Sequence, residues 1–344
     1  MFPTVLIIAG IILTALLLWG MRTLLLSSHP QQPAPLPPSQ PTTPPAWRTW
    51  SVAPGISGYA WEVAQPRAVV LLQHGYADYA LRFVSEHHQL IPRLCDAGIS
   101  VYAYDLHGHG YSAGTRGVVD VRQAVADHLV ARQLLATSQS QPLFLVGHSL
   151  GGLITAASLL RDPAGVAGVI MMSPALPHSF PAPLRGIVNL LARMAPQRAV
   201  PLPAAPEAGL SRDADYIARA TADPIIYHDQ VPLLVAASAL AVAADLDTRY
   251  HTWRTATLIQ HGDADSWADP RASTQLAERI SANADCTLLM YPDGRHNLLC
   301  DLDQARVYTD ILTWVERRLV AQCVHRGNQA SISVSKPYFA NSVA

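Results

Sequence analysis

The centre of the chain alternates short apolar runs with longer stretches in which apolar residues recur at helical spacing. Apolar runs of strand length lie near residues 68–73, 99–104, 142–147, 166–172, 255–260 and 286–291. Stretches with helical periodicity lie near residues 80–96, 119–137, 150–161, 270–282 and 301–322. This alternation predicts an α/β fold with a mostly parallel sheet that carries helices on both faces.

The interval from about residue 177 to 250 breaks the alternation. It is rich in Pro and Ala and contains helical runs at Ile187–Met194 and Val231–Ala244. We predict that it forms a helical cap, inserted after the strand at 166–172. Most of its apolar residues are expected to pack the cap onto the body, and an apolar cap suits an acyl or alkyl chain better than a charged peptide.

The first 28 residues have a different pattern. From Met1 to Met21 there is no charged side chain, and a bilayer core takes about 20 apolar residues to cross. We predict an N-terminal transmembrane anchor over residues 1–28, which makes this a single-pass membrane protein. A cleaved secretory signal is the alternative, but the segment lacks a basic start and a clear A-x-A cleavage site. Arg22 and Arg48 follow the segment, which favours a cytoplasmic catalytic domain.

The remaining boundaries follow from composition. Residues 29–46 are dense in Pro and Gln, which predicts an extended linker. The folded catalytic domain is predicted over residues 47–324. Residues 325–344 show no helical pattern and are predicted to form a disordered tail.

Overall composition excludes several classes of function. Charged residues make up 14% of the chain and the formal net charge is −1, so no basic surface indicates a nucleic-acid partner. The 14 histidines include no HExxH-type ligand set, so neither a metal nor another cofactor is predicted. Four cysteines form no close pair and no dense disulfide framework: Cys95, Cys286, Cys300 and Cys323.

The segment FLVGHSLGG, from Phe144 to Gly152, carries the clearest chemistry. An apolar strand runs into Gly147 and Gly151, which flank Ser149 in GxSxG spacing and precede an amphipathic helix. A turn this tight leaves no room for side chains beside the serine and strains its backbone. The segment therefore predicts a nucleophile elbow with Ser149 as the nucleophile.

A serine nucleophile needs a base, and the base needs a carboxylate to orient it. His296 follows the strand near 286–291, and three acids follow the strand near 255–260: Asp263, Asp265 and Asp269. Asp263 follows Gly262 as a turn residue, and Asp269 precedes Pro270 as a helix cap. We therefore predict Asp265 as the acid and His296 as the base.

Attack by serine produces an oxyanion that needs hydrogen-bond donors. The first is the backbone amide of Leu150, directly after the nucleophile. The second is expected from the loop after an earlier strand, where AVVLLQHGYADY places Tyr76 after Gly75. We predict that the amides of Leu150 and Tyr76 form the oxyanion hole.

With these residues in place, the chain resembles the monoglyceride lipase and lysophospholipase group of α/β-hydrolases, also called serine aminopeptidase-like. GHSLGG is similar to the group's GHSMGG, and YAYDLHGHGYSAG (102–114) is similar to its D-x-x-G-H-G-x-S loop. LSRDADYIARATADPIIYHDQVP (210–232) is similar to the group's cap-helix stretch. The resemblance covers about residues 50–320. Two features depart from the group: the strand before Asp265 begins TATLIQ without the usual Pro, and the N-terminal apolar segment is additional.

The resemblance implies an α/β-hydrolase fold with Ser149, Asp265 and His296 as a triad, and Tyr76 and Leu150 as oxyanion amides. It implies hydrolysis of lipid-like carboxylic esters, monoacylglycerols or lysophospholipids, without a cofactor. An acyltransferase that uses the same triad, a non-lipid esterase and a non-enzymatic binding protein on the same scaffold are the alternatives.

Overall fold

A computed structural model of the protein describes residues 46–176, 182–201 and 206–333. The predicted anchor at 1–28, the linker except its last residue and the last residues of the chain, 334–344, lie outside this part. Within the described ranges, no helix is both long and apolar enough to cross a bilayer.

The described residues form one eight-stranded sheet. Its strands are β1 (Arg48–Thr49), β2 (Gly58–Trp61), β3 (Ala68–Gln73), β4 (Ile99–Tyr104), β5 (Leu143–His148), β6 (Val166–Met172), β7 (Thr257–Gly262) and β8 (Cys286–Tyr291). Their order across the sheet is β1-β2-β4-β3-β5-β6-β7-β8. The pairs from β4 through β8 are parallel, whereas β1 and β2 add an antiparallel edge.

All six predicted strands are present, and the expected parallel sheet is confirmed. The pattern missed β1 and β2, which are only two and four residues long, too short for a detectable alternation. It also placed β7 two residues too early. Trp253 Nε1 donates to Thr255 O at 3.0 Å and to Thr257 Oγ1 at 2.8 Å, and this local turn delays the strand to Thr257.

Helices lie on both faces of the sheet, as predicted. The described ranges contain α1 (Arg82–Ser85), α2 (Leu90–Asp96), α3 (Val121–Ser138), α4 (Leu150–Arg161), α5 (Ala182–Met194), α6 (Ala214–Ala222), α7 (Leu233–Arg249), α8 (Pro270–Ser281) and α9 (Gln304–Ser333). Along β3, Val69 and Leu71 join one core with α3, α4, α7 and α8. The alternate residues Val70 and Leu72 join a second core with α1, α2 and α9. This two-sided burial explains why the central strands are continuously apolar.

The single helix predicted at 80–96 is wrong. His87, His88 and Gln89 have positive φ angles of 45°, 53° and 52°, and they separate α1 from α2. The His87 ring stacks on Phe83 with ring centroids 3.8 Å apart and hydrogen-bonds to Asp78 at 2.8 Å. These tertiary contacts stabilise a backbone conformation that an apolar pattern cannot reveal.

The last helix continues beyond residue 324, where we predicted the folded domain to end. Helix α9 continues to Ser333, so residues 325–333 are helical and not a disordered tail. No proline interrupts this helix, so its backbone hydrogen bonds can continue. Few apolar residues occur between Val324 and Ser333, so the spacing of apolar residues did not indicate a helix there.

The interval between β6 and β7 contains α5, α6 and α7, as expected of a helical insertion. Helix α7 buries Val235, Val242 and Leu246 in the same core as the sheet. Helix α5 packs on α7 through a small separate cluster that includes Ala192, Leu233 and Ala237. Helix α7 thus joins the insertion to the body.

Candidate active site

Ser149 lies in the sharp turn between β5 and α4. Its φ of 52° and ψ of −119° are strained for a residue with a side chain, which confirms the expected backbone conformation. A Cβ on Gly147 would lie 2.5 Å from the carbonyl oxygen of Gly151, and one on Gly151 would lie 2.2 Å from the carbonyl oxygen of Gln73. Both positions therefore require glycine.

Ser149, His296 and Asp265 form one chain of hydrogen bonds. His296 Nε2 lies 2.9 Å from Ser149 Oγ, and His296 Nδ1 lies 2.8 Å from Asp265 Oδ2. All three residues are buried. A carboxylate only accepts hydrogen bonds, so the Nδ1–H donates to Asp265 and Nε2 presents its lone pair to the serine hydroxyl. The structure thus brings together the three side chains that the sequence selected.

The other two acids have the local roles that their positions predicted. Asp263 Oδ1 accepts a hydrogen bond from the amide of Asp293 at 2.7 Å, which joins the turn after β7 to the loop after β8. Asp269 is the N-cap of α8, and its Oδ1 accepts from the amide of Arg271 at 2.9 Å. Their carboxylates bind backbone groups, whereas Asp265 reaches His296.

Asp265 accepts hydrogen bonds from three groups in addition to His296. Its Oδ1 accepts from the amides of Trp267 at 2.8 Å and Ala268 at 3.0 Å, and its Oδ2 also lies 2.9 Å from His261 Nε2. Burial alone would raise the pKa of Asp265, but hydrogen bonds from His261 and His296 hold that pKa well below its usual range. Asp265 is therefore ionised at neutral pH.

Sequence reasoning missed His261. This fully buried residue lies near the end of β7, and its Nδ1 lies 2.7 Å from Ser273 Oγ on α8. His261 thereby links the carboxylate of Asp265 to helix α8. The available signal was a polar residue at the end of an apolar strand, four residues before the chosen acid.

The two predicted oxyanion amides lie on the turns that surround the serine. Leu150 is the first residue of α4, whose leading amides have no acceptor within the helix. A Cβ on Gly75 would lie 3.0 Å from Ser149 Cβ, so the backbone that leads into Tyr76 packs directly against Ser149. The Tyr76 hydroxyl donates to Gly117 O at 2.9 Å, which holds its side chain on the neighbouring loop.

The segment 102–114 contacts the turn at Gly75 and Tyr76 through hydrogen bonds. Asp105 is fully buried, and its oxygens accept from the amides of Ala80 at 2.7 Å and Tyr111 at 2.9 Å. Burial raises the pKa of Asp105 above its ordinary value. His74 Nε2 accepts from the amide of Leu106 at 3.0 Å, so the same loop also positions the residue before Gly75.

Trp267 forms an exposed wall beside His296. Its indole stacks on His296 with centroids 6.1 Å apart and planes 23° apart, and 41% of the residue is exposed. The ring is well placed to limit access to the imidazole.

The described residues contain no group of three or more His, Cys, Asp or Glu side chains arranged to hold a metal ion.

Comparison with known proteins agrees with this geometry. A family profile described as "Serine aminopeptidase, S33" matches residues 64–303, more than half of the chain. A monoacylglycerol lipase from Mycolicibacterium smegmatis is 30% identical over 74% of this chain and 90% of its own. A monoglyceride lipase from Rattus norvegicus is 29% identical over 75% of this chain and 86% of its own. The crystal structure of a monoacylglycerol lipase from Paleococcus ferrophilus superposes with a TM-score of 0.67 and 26% identity, and the match covers 76% of this chain and 99% of that one.

Proposed function

Because the chain belongs to the serine aminopeptidase S33 family, as a monoglyceride lipase-type α/β-hydrolase and a serine ester hydrolase, we propose that it cleaves monoacylglycerols through an acyl-enzyme on Ser149. One observation carries this proposal: the hydrogen-bonded chain from Ser149 through His296 to Asp265. The names of the monoacylglycerol lipase relatives support the substrate class.

His296 acts as the base in the first step. Its Nε2 accepts the Ser149 proton as Oγ attacks the ester carbonyl, and Asp265 stabilises the imidazolium that forms. The imidazolium then gives the proton to the departing glycerol oxygen, which leaves an acyl group on Ser149. A water molecule, deprotonated by the same nitrogen, attacks the acyl group. The imidazolium returns that proton to Ser149 Oγ as the acyl–oxygen bond breaks, which releases the fatty acid and regenerates the hydroxyl.

The oxyanion of each tetrahedral intermediate accepts hydrogen bonds from the amides of Tyr76 and Leu150. These donors belong to backbone turns, so they need no reorientation as charge develops. The close packing of Gly75 against Ser149 supports this assignment, because a Cβ at position 75 would lie 3.0 Å from Ser149 Cβ.

A lipid-like substrate is further supported by the outer surface of the cap. Helix α5 exposes three large apolar side chains, Leu184 at 41%, Leu190 at 58% and Met194 at 64%. An apolar surface of this kind suits contact with an aggregated or membrane-bound ester. Lysophospholipids, non-lipid esters and acyl transfer to an alcohol are alternative outcomes for the same triad.

Ser149→Ala tests the mechanism. We expect the variant to fold, to lose ester turnover and to lose labelling by a fluorophosphonate, because only one oxygen is removed. Ser138→Ala, the same change at the exposed end of α3, should behave as wild type. Labelling that persists in Ser149→Ala would refute the assigned nucleophile.

A substrate panel tests the specificity. Purified protein should hydrolyse monoacylglycerols faster than lysophospholipids of the same acyl length, and faster than short soluble esters. Preference for either of the other two classes would overturn the substrate assignment. A transfer product formed with a nonpolar alcohol, in excess over free fatty acid, would identify an acyltransferase instead.

We also propose that residues 1–28 anchor the domain to a membrane. Support comes from the uncharged apolar run up to Met21 and the Pro-rich segment that separates it from β1. A membrane anchor would keep the hydrolase near lipid esters.

A further inference from the structure

The turn after β3, residues 75–79, carries the proposed oxyanion amide of Tyr76 and contacts the insertion between β6 and β7. The contact is made by the connecting segment, residues 223–232, which joins α6 to α7. The amide of Tyr227 in this segment donates to the carbonyl oxygen of Ala77 at 3.1 Å. A backbone hydrogen bond thus links the connecting segment to the residue that directly follows Tyr76.

The backbone of Ala77 is strained and needs such contacts. Its φ of 68° lies in the left-handed region, which costs energy for a residue with a Cβ. A strained conformation persists where the surrounding structure holds it. Within the body, Asp78 Oδ1 accepts from the amide of Tyr79 at 2.8 Å, and Asp78 Oδ2 lies 2.8 Å from His87 Nε2. The connecting segment adds a second set of contacts to the same turn.

Two side chains of the body also hydrogen-bond to the connecting segment. The Tyr79 hydroxyl donates to Asp223 Oδ2 at 3.0 Å. Arg116 Nη2 donates to the carbonyl oxygen of Ile225, and Arg116 Nη1 donates to that of Gly110 at 2.9 Å. Asp223 Oδ1 accepts from the amide of Ile225 at 2.9 Å, which joins the two contacts within the segment. The connecting segment is therefore attached to the body at several points around the turn 75–79.

The Tyr227 ring packs against the side chain of Tyr76. The two ring centroids lie 5.9 Å apart, and the planes meet edge to face at 77°. The Tyr227 ring also covers Gly117, where a Cβ would lie 2.2 Å from Tyr227 Cζ. The Tyr76 hydroxyl donates to Gly117 O at 2.9 Å. Tyr76, Gly117 and Tyr227 therefore contact one another in a single cluster.

We propose that Tyr227 is a positioning residue for ester hydrolysis: its amide and its ring hold the turn 75–79 in the geometry in which the Tyr76 amide binds the oxyanion. This inference rests on the proposed function. Backbone donors stabilise an oxyanion because they already point at the place where charge develops. A misplacement of about 1 Å can cost about 100-fold in rate, so support of the turn affects catalysis directly.

Two variants of Tyr227 separate its ring from its hydroxyl. With a short soluble ester, Tyr227→Ala should lower kcat at least about fivefold and change KM less than about twofold, because the oxyanion forms only after the substrate has bound. Tyr227→Phe keeps the ring and should restore both constants to within about twofold of wild type. An alkyl trifluoromethyl ketone, which reacts with Ser149 to give a tetrahedral oxyanion, should bind Tyr227→Ala at least about fivefold more weakly.

Gly117→Ala tests the same contact from the opposite residue. Its Cβ would meet the Tyr227 ring, which must then turn away from Tyr76, and we expect kcat to fall at least about fivefold. Gly165→Ala is the matched control and should stay within about twofold of wild type. The two glycines have φ angles of 73° and 72°, but no described atom beyond the chain neighbours lies within 4 Å of a Cβ on Gly165. Both variants carry the strain of a left-handed alanine, and only Gly117→Ala contacts Tyr227.

A double variant tests whether the two changes act through one contact. In Gly117→Ala/Tyr227→Ala the clash is absent, so kcat should equal that of Tyr227→Ala and not reflect the product of the two losses. Fluorophosphonate labelling of Ser149, carried to completion, gives the folded fraction of each variant. Expressing kcat per labelled site removes the effect of any unfolded protein.

Three results would contradict the role of Tyr227. The first is equal kcat in Gly117→Ala and Gly165→Ala. The second is a loss in Tyr227→Ala that appears in KM alone, with unchanged affinity for the trifluoromethyl ketone. The third is a double variant whose loss is the product of the single losses. Wild-type protein that is labelled at Ser149 but does not hydrolyse monoacylglycerols would refute the proposed substrate, whereas the ketone affinities would still test Tyr227.

Discussion

Asp265 concentrates more hydrogen bonds than any other side chain of the site. Two backbone amides fix one oxygen, and two imidazoles approach the other at 2.8 and 2.9 Å. This arrangement fixes the plane of the carboxylate and with it the ring of His296. A neutral amide at position 265 would offer an N–H to one of these donors, which disrupts both the orientation and the charge.

Asp265→Asn should therefore lower kcat for ester hydrolysis on the order of 10³- to 10⁴-fold, the usual effect of losing the orienting acid. Asp263→Asn and Asp269→Asn are matched controls, and both should stay within a few-fold of wild type. Asn is nearly as good an N-cap as Asp, so Asp269→Asn should also keep its stability. A larger loss of kcat at either control would show that the control residue, and not Asp265, orients His296.

The sequence predicts Ser149, Asp265 and His296 as a triad because each follows an apolar strand in an order that few folds share, and the three side chains lie in one chain of hydrogen bonds. The sequence did not indicate His261 or Trp267. Their roles depend on distances between β7, α8 and the loop of His296, which no local pattern contains. Tertiary contacts of single polar residues are therefore the part of this site that required a structure.

At the level of elements, the turn from β5 into α4 determines the position of Ser149, the proposed nucleophile. Helix α4 approaches the end of β3 so closely that Gly151 faces the carbonyl oxygens of Gln73 and His74. The sequence indicated this turn because both glycines are in the motif. It could not indicate the break between α1 and α2, since the three left-handed residues there include no glycine.

Gly151→Ala should displace the turn, because its Cβ would lie 2.2 Å from a backbone oxygen. We expect a loss of kcat of about 100-fold, the effect of a misplacement near 1 Å, and a stability loss of about 1–3 kcal/mol. Gly186→Ala in α5 is the control, because no atom lies within 4 Å of its Cβ. That variant should gain up to about 1 kcal/mol in stability from higher helix propensity and keep its kcat. Equal kcat in the two variants would contradict the close approach of α4 to β3.

At the level of the whole molecule, Asp301 joins the cap to the loop after β8 that carries His296. Its Oδ1 accepts from the amide of Arg212 at 2.8 Å, just before α6, and its Oδ2 accepts from the amide of Arg295 at 2.9 Å. Asp301 is almost fully buried, and its carboxylate also pairs with the Arg212 side chain at 3.0 Å. Burial would raise the pKa of Asp301, but the bonds from Arg212 and Arg295 hold it below its usual value.

Asp301→Asn should lower stability at pH 7 by about 2 kcal/mol, because hydrogen bonds to a charged group are lost. A pKa below the unfolded value means that this stability is present at neutral pH and declines as the pH falls below about 4. The difference in Tm between wild type and variant should thus shrink from pH 7 to pH 3.5. Asp303→Asn, which removes an exposed pair with Arg212, should have little effect at either pH. A constant Tm difference for Asp301→Asn would show that its charge is not what stabilises the fold.

The proposed N-terminal anchor would determine where the whole molecule works. If Met1 to Leu26 spans a bilayer, the protein should stay in the membrane fraction through a carbonate wash, because about 20 apolar residues insert almost irreversibly. A variant without residues 1–46 should be soluble and hydrolyse a water-soluble short ester at the wild-type rate, since the triad lies entirely in the later domain. Its activity on lipid in vesicles should fall more, because tethering raises the local concentration of substrate. A mature protein that begins after Leu26, found by N-terminal sequencing, would show a cleaved signal and overturn both the anchor and the cytoplasmic placement.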